Sequence, residues 1–241
     1  MMEPPQGNVN MEQIGHSRVV VIISANSEWR STLSFYRPEN IGRTPFGACF
    51  QINLKGQEVV FIQGGWGKIS AAASTQYIID HWQPKVVINL GTCGGIAGRI
   101  ELGTILLVAE TWVYDIYERM GDAQAALDRY SVKLDLAWLR EPYPLKVTTG
   151  RLISGDQDID PSATSRLVDE FDTAAADWES GAIAWVTQRN QVRCLILRGV
   201  SDLVSHEKGE VYGQVALFHA RTAQIMSRLL ESLSGWLESA M

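Results

Sequence analysis

Short apolar runs that stop at polar or glycine-rich segments recur along the chain and predict buried strands. Val19–Ile23, Val59–Gln63 and Val86–Leu90 are the first three of these runs. Continuous apolar runs of this length are typical of strands that are buried on both faces of a sheet. Four later segments are predicted as strands in the same way: 104–108, 147–153, 174–178 and 194–200.

Helical patterns lie between these runs. An alanine-rich stretch covers about 69–81, Pro161 opens a predicted helix that ends near Phe171, and another helix follows Gly181. From about Gln214, apolar residues recur at i, i+3/i+4 spacing, which predicts a helix whose apolar stripe faces the core. We therefore expect an α/β protein, a three-layer α-β-α sandwich with a mainly parallel mixed central sheet. The stripe consists of Ile225, Met226, Leu229, Leu230, Leu233, Trp236 and Leu237.

Two segments depart from this alternation. Residues 1–17 are polar, contain Pro-Pro and lack an apolar core, which favours a disordered leader over a signal peptide. Residues 113–146 are irregular and rich in aromatics, and we expect loops with one short helix there, in a lid or an interface. Because no linker composition divides the remainder, residues 18–241 are predicted to form a single domain.

Composition narrows the classes of partner. The chain has 241 residues, 46% of them hydrophobic, and a net charge of −6, which argues against nucleic acid or an anionic membrane as partner. No apolar stretch approaches the ~20 residues needed to span a bilayer. The three cysteines are widely spaced without a CxxC pair, which indicates reduced thiols in a cytoplasmic protein. The four histidines lack metal-ligand spacing, so no metal site is expected.

The segment from Gly65 to Ser70 nearly matches the GxGxxG/A fingerprint of dinucleotide sites. That fingerprint also needs an acid about 20 residues further on, at the end of the next strand. The next strand runs into Asn89-Leu90-Gly91-Thr92, which contains no acid. We therefore interpret these glycines as serving a tight strand-to-helix turn, and we expect no dinucleotide or other cofactor.

A second cluster of small residues, Gly91 to Gly95, is predicted at the carboxyl end of its strand. Small side chains allow a ligand to lie flat on the backbone, and Thr92 adds a hydroxyl. The segment lacks the GK[ST] of a phosphate-binding loop. The cluster therefore favours the floor of a ligand site that includes Thr92, Cys93 and Gly94.

Acidic residues follow several predicted strands, and Asp202 is the first candidate for chemistry. It comes after the apolar run 194–197, where an ionisable group is costly unless it is paired or used. The carboxyl ends of strands in one parallel sheet meet in space, and ligands bind there. For Glu28 and Glu179 an ordinary helix N-cap or first-turn acid is the alternative. The full set is Glu28, Asp156, Asp158, Glu179 and Asp202.

Three segments together resemble the purine nucleoside phosphorylase/nucleosidase superfamily: 89–95, 177–182 and 198–202. Their pattern is most similar to that of its 5′-methylthioadenosine/S-adenosylhomocysteine nucleosidases. Supporting matches occur at 24–28, 67–72 and 154–156, and the resemblance runs in order from about residue 19 to 237. The resemblance implies hydrolysis of the N-glycosidic bond of a 5′-substituted adenosine, without metal or cofactor.

The resemblance also implies a role for each matching residue. Asp202 would protonate N7 of the purine, Glu28 would activate the attacking water, and Glu179 would bind the ribose hydroxyls. Ser201 and Arg198 would support the acid and the sugar-side network, and Trp178 would lie beside the sugar. Main-chain atoms near Asp158 and Ile159 would contact the adenine edge above Cys93-Gly94, and Tyr212 would close the pocket for the 5′-substituent.

Two alternatives to hydrolysis are considered. Phosphorylases of this superfamily have an arginine where this chain has Asn89, and a phosphate dianion needs such cationic donors, so water is the favoured nucleophile. A non-catalytic nucleoside-binding or storage protein would not need Glu28, Glu179 and Asp202 together.

The resemblance implies a homodimer and a place in methionine salvage. Trp178, which replaces a methionine, leaves the 5′-substituent open, as do departures at 25–26 and 113–115.

Overall fold

The structure is a computed structural model that describes residues 18–240, so the predicted leader lies outside the described residues. The strands are Val19–Ile23 (β1), Gly42–Arg43 (β2), Ala48–Leu54 (β3), Gln57–Gln63 (β4), Val86–Ile96 (β5), Ile105–Val113 (β6), Ser131–Lys133 (β7), Thr148–Ser154 (β8), Ala175–Asp177 (β9) and Arg193–Val204 (β10). The α-helices are Asn26–Tyr36 (α1), Gly67–Trp82 (α2), Ala123–Asp128 (α3), Thr164–Phe171 (α4), Ser180–Arg189 (α5) and Val215–Ser239 (α6). No helix among these residues is long and apolar enough to cross a membrane.

All these strands belong to one mixed sheet. Parallel ladders join β4, β1, β5 and β10 at its centre, and β6, β8 and β9 beyond them. Antiparallel pairs add β3 and β2 at the outer edge. β10 pairs with both β5 and β6, and β9 returns to β5, so five strands close on themselves. The predicted α/β fold with a central sheet between helical layers is confirmed.

Strand β1 shows how the sequence produces the layers. Its five residues are all buried, and successive side chains point to opposite faces. Val19, Val21 and Ile23 pack in one core with residues of α1 and α6, whereas Val20 and Ile22 pack in a second core with residues of α2 and α5. The predicted apolar stripe of α6 is confirmed, because all seven of its members are buried in the first core.

Several parts of the sheet differ from the sequence prediction, among them the unpredicted short strands β2 and β7. β5 extends to Ile96 and β10 to Val204, so the segment 91–95 lies within a strand and not beyond its end. The two strands pair along their whole length, and these main-chain hydrogen bonds keep the glycines extended. β3 was not predicted, because its sequence mixes polar with apolar residues and its stability depends on antiparallel pairing with β4.

The edge of β5 that faces away from β10 positions the site. β1 pairs with this edge over Val86–Asn89, and β9 pairs with it over Gly94–Gly95. Between these two ladders, residues 90–93 have no strand partner on this edge within 18–240. The gap opens where β1 gives way to α1, and main-chain donors of β5 are available there to other groups.

Candidate active site

Glu28 fills the gap beside β5. It lies in the first turn of α1, and its Oε2 accepts a hydrogen bond from the N–H of Ala25 at 3.1 Å, which contributes to capping the helix. Its Oε1 reaches across to Thr92, accepting from the main-chain N–H at 2.6 Å and from the hydroxyl at 2.9 Å. The side chain is buried. Glu28 therefore has a capping role and also lies at the predicted ligand floor.

Arg198 crosses beneath this gap from β10, and its side chain is 1% exposed. Burial of a guanidinium requires partners for its donors. Three partners lie within hydrogen-bonding distance: Asn89 Oδ1 at 2.7 Å, Asp177 Oδ2 at 2.8 Å and Ser180 Oγ at 2.9 Å. Two more carboxylates lie farther away: Glu28 Oε1 and Glu179 Oε2, each at 3.9 Å.

Asp177 is a buried member of this cluster that sequence reasoning did not single out. It accepts hydrogen bonds from the hydroxyl of Ser154 at 2.5 Å, from the main-chain N–H of Ser180 at 3.2 Å and from the hydroxyl of Ser180. The available signal was an acid at the end of a short strand, two positions before Glu179. Its ion pair with Arg198 depends on β9 and β10 being placed together, which only the fold reveals.

Glu179 stands at the N-cap position of α5, but its side chain does not cap that helix. Its Oε1 instead accepts from the N–H of Gly67 at 3.0 Å, at the first residue of α2. The N-cap alternative is therefore wrong for this side chain. Burial, followed by the charge of Asp177, raises the pKa of Glu179 to about 8. The carboxyl is thus close to its neutral form at physiological pH.

Asp202 lies at the other end of the same stretch of β5. It follows an irregularity in the β5–β10 ladder and pairs with Gly94. Ser201 donates from its hydroxyl to Asp202 Oδ1, at 2.8 Å, and the same hydroxyl lies 3.2 Å from the carbonyl oxygen of Cys93. Burial raises the pKa of Asp202, and the Ser201 hydrogen bond opposes this effect.

Two glycines of β5 separate the carboxyls of Glu28 and Asp202. A Cβ at Gly91 would lie 2.7 Å from Glu28 Oε1, and a Cβ at Gly94 would lie 3.8 Å from Asp202 Oδ2. Three residues of extended strand span roughly 10 Å. The two carboxyls therefore lie near the two ends of a strip of small residues, 91–94.

Ile159 and Tyr212 lie at the Asp202 end of this strip. The tip of the Ile159 side chain is 3.1 Å from the Cβ position of Gly94, and the hydroxyl of Tyr212 donates to the carbonyl oxygen of Ile159 at 2.7 Å. Burial raises the pKa of Tyr212, and the neighbouring Asp158 carboxylate contributes, although Asp158 is itself exposed. The structure thus brings Tyr212 to the segment that was predicted to contact the base.

Two indoles stand beside Glu179 at the opposite end. The rings of Trp66 and Trp178 are stacked, with centroids 5.3 Å apart and planes inclined by 15°. Trp66 is 68% exposed, and it directly precedes Gly67, whose N–H binds Glu179. The fingerprint-like glycines Gly65 and Gly67 have φ values of +83° and +78°, which tight turns favour in glycine.

Comparison with known proteins places the chain in a family. The sequence profile described as the phosphorylase superfamily matches residues 20–234, which include every element of the site. The chain belongs to this superfamily. A curated relative from Shewanella loihica, named 5′-methylthioadenosine/S-adenosylhomocysteine nucleosidase, is 30% identical over 166 residues, which are 64% of this chain and 72% of the relative.

Two solved structures agree with this chain in fold. The nucleosidase of the same name from Campylobacter jejuni superposes with a TM-score of 0.74 at 16% identity, covering 90% of this chain and 99% of the other. Futalosine hydrolase of Helicobacter pylori gives the same TM-score and identity, covering 90% of this chain and 97% of the other. At this level of identity the likeness establishes the fold alone.

Proposed function

We propose that this protein is a nucleosidase that hydrolyses the N-glycosidic bond of a 5′-substituted adenosine. 5′-Methylthioadenosine and S-adenosylhomocysteine are the first candidate substrates, because the Shewanella relative carries the name of that activity. The three segments that suggested this chemistry meet in the structure around β5: residues 89–95 lie on it, 198–202 on the adjacent β10, and 177–182 at the end of β9.

One observation favours hydrolysis over phosphorolysis: Glu28 occupies both hydrogen-bond donors of Thr92. The N–H and hydroxyl of Thr92 both donate to this carboxylate. A phosphate dianion needs cationic or N–H donors, and here it would meet a buried carboxylate on them instead. Arg198 already donates to Asn89, Asp177 and Ser180. A neutral water is the nucleophile that this arrangement accommodates, with Glu28 as its general base.

Protonation of the leaving group is assigned to Asp202. Burial raises its pKa, so the carboxyl holds its proton more strongly than an exposed aspartate does. Transfer of that proton to N7 would neutralise the charge that develops on the purine as the bond breaks. The hydroxyl of Ser201 fixes the orientation of the acid. Cys93 and Gly94 would form the floor beneath the base, and the main chain near Asp158 and Ile159 would contact its edge. Tyr212, whose hydroxyl donates to the carbonyl oxygen of Ile159, would close the pocket for the 5′-substituent.

Binding of the sugar is assigned to the cluster of carboxyls around Arg198. Glu28, Asp177 and Glu179 are three buried carboxyls around the single guanidinium of Arg198. Positive charge that develops on the sugar in an oxocarbenium-like transition state is stabilised by the ionised carboxylates of this cluster. Glu179 would bind the ribose hydroxyls, with Trp178 beside the sugar.

We further propose a cytoplasmic homodimer. All three cysteines are free and buried, as suits a reducing compartment. In the irregular segment between β6 and β7, Tyr117 is 80% and Met120 is 99% exposed. A second copy of the chain that covers this segment would bury both side chains. Light scattering coupled to size-exclusion chromatography tests this directly, and a monomer at micromolar concentration would contradict it.

Release of adenine from 5′-methylthioadenosine by the purified protein, followed by ultraviolet absorbance, tests the function. The same assay with S-adenosylhomocysteine and adenosine, together with release of hypoxanthine from futalosine, defines the substrate range. We expect turnover that is independent of inorganic phosphate. A rate that requires phosphate would identify a phosphorylase, whereas thermal stabilisation by adenine without turnover would identify a binding protein.

A further inference from the structure

Beneath the sugar end of the site, three carboxyls lie at unequal distances from one cation, the guanidinium of Arg198. Arg198 Nη2 lies 2.8 Å from Asp177 Oδ2, whereas the nearest guanidinium nitrogens lie 3.9 Å from Glu28 and 3.9 Å from Glu179. A distance of 2.8 Å is a charge-assisted hydrogen bond, and 3.9 Å is not a hydrogen bond. The guanidinium is therefore bonded to Asp177.

The two neighbouring acids differ in their hydrogen bonds as well. Asp177 accepts from Arg198, Ser154 and Ser180, which is the environment of an ionised carboxylate. Glu179 accepts a hydrogen bond from the N–H of Gly67. Both side chains are buried, at 3% and 7% exposure. Two buried carboxyls beside one cation cannot both be ionised without a large cost, so the poorly bonded one keeps a proton.

We propose that Asp177 is a positioning residue that binds the guanidinium of Arg198 and thereby leaves Glu179 protonated, able to donate as well as accept hydrogen bonds at the sugar hydroxyls. The inference rests on the proposed function for the identity of the ligand. The charge distribution within the cluster stands independently of it.

The charges that face Glu179 agree with this arrangement. Burial, the charge of Asp177 and the charge of Glu28 on α1 all raise the pKa of Glu179. The charge of Arg198 on β10 and the hydrogen bond from the Gly67 N–H lower this pKa. Lys68, which follows Gly67 in the sequence, is paired through its ammonium with Asp115 and lies 3.6 Å from Asp156. A pKa of about 8 therefore keeps Glu179 largely neutral at pH 7.

The experiment compares pH profiles of kcat/KM for adenine release in the wild type, Asp177→Asn and Asp177→Glu. Asp177→Asn removes the charge but keeps the size, so Arg198 is freed to pair with Glu179 and the Glu179 pKa falls. We expect the alkaline limb to move to lower pH by one unit or more, whatever the maximal rate of the variant. Asp177→Glu keeps the charge, and its limb should stay near that of the wild type. Glu179→Gln assigns the limb, because a profile without Glu179 loses it and retains only the limb of Asp202.

A second measurement does not depend on turnover. Carbon-13 NMR of protein labelled at the glutamate carboxyls reports the Glu179 pKa, and comparison with Glu179→Gln assigns its signal. A Glu179 pKa that falls in Asp177→Asn supports the inference even if no nucleoside is hydrolysed, in which case the proposed function alone is wrong. An unchanged pKa, or a loss of activity in Asp177→Asn that is equal at every pH, would overturn the inference.

Discussion

Glu28 accepts hydrogen bonds from both the main-chain N–H and the hydroxyl of Thr92, at 2.6 and 2.9 Å. The relationship joins the first turn of α1 to the part of β5 that β1 and β9 leave unpaired. A carboxylate thus takes the main-chain donor that a strand would otherwise use. Because the carboxylate is held at the ligand floor, its position bears directly on which nucleophile the site can accept.

Thr92→Val removes one of these two donors and keeps the other. A hydrogen bond to a charged group contributes about 1.5–3 kcal/mol, so we expect kcat to fall roughly 10- to 100-fold with little change in KM. Thr92→Ser restores the hydroxyl and should recover most of the rate. Steady-state adenine release measures both variants, and equal rates for Thr92→Val and the wild type would show that the hydroxyl does not matter.

Asp202→Asn removes the proposed acid while keeping its shape. We expect turnover to fall by at least ~10²–10⁴-fold, the usual contribution of a positioned acid, with little loss of ligand binding. Single-turnover adenine release and calorimetric titration with a non-hydrolysed adenosine analogue separate the two effects. Asp169→Asn, an exposed aspartate of α4, is the matched control. Near-normal turnover in Asp202→Asn would exclude the assigned role.

Gly94→Ala tests the floor beneath the base. The new Cβ would lie 3.1 Å from the flexible tip of Ile159, so the fold should tolerate it with a small decrease in melting temperature. The methyl group would, however, occupy the surface on which the base is proposed to lie, and we expect KM to rise at least tenfold. Gly121→Ala, whose Cβ would meet only Glu118 at 4.0 Å, is the control. An unchanged KM in Gly94→Ala would place the base elsewhere.

The Trp66–Trp178 pair is expected to influence the choice of 5′-substituent. Aromatic contacts contribute about 0.5–1.5 kcal/mol beyond buried area, so Trp66→Ala should lower kcat/KM for 5′-methylthioadenosine roughly 2- to 10-fold. Adenosine, whose 5′-hydroxyl gains less from an indole, should be affected less. Competition between the two substrates in one reaction measures the ratio. A ratio that does not change would show that the indoles lie outside the pocket.

The raised pKa of Glu179 has a consequence for stability. Because the pKa is about 8 in the folded protein and 4.5 for a free glutamate, the unfolded chain loses this proton first as pH rises. The contribution of Glu179 is therefore fully present below about pH 4.5 and is lost as pH rises through about 8. Glu179→Gln has no such loss.

The melting temperature of Glu179→Gln, relative to that of the wild type, should accordingly rise by several degrees between pH 5 and pH 9. Differential scanning calorimetry across this range measures the trend. Glu238→Gln, a surface residue paired with Lys55, should show no comparable trend. A constant difference between Glu179→Gln and the wild type would mean that Glu179 has an ordinary pKa.

Several elements could be predicted because their signal is local. The β-branched run of β1 and the i, i+3/i+4 stripe of α6 each carry a pattern that only a buried strand or a core-facing helix satisfies. The extension of β5 through Gly91–Gly95 could not be predicted in this way. Glycines disfavour a strand locally, and the pairing with β10 that stabilises this one comes from residues about a hundred positions away.

The layered α/β fold and the candidate residues Glu28, Glu179 and Asp202 could be predicted from the sequence, because apolar periodicity and acids near strand ends are local patterns. The partners of these acids follow only from the folded structure. In that structure Glu28 hydrogen-bonds to Thr92, the guanidinium of Arg198 pairs with Asp177, and the pKa of Glu179 is raised. Burial and Coulomb interactions depend on distances between strands, and these distances exist only once the sheet has formed.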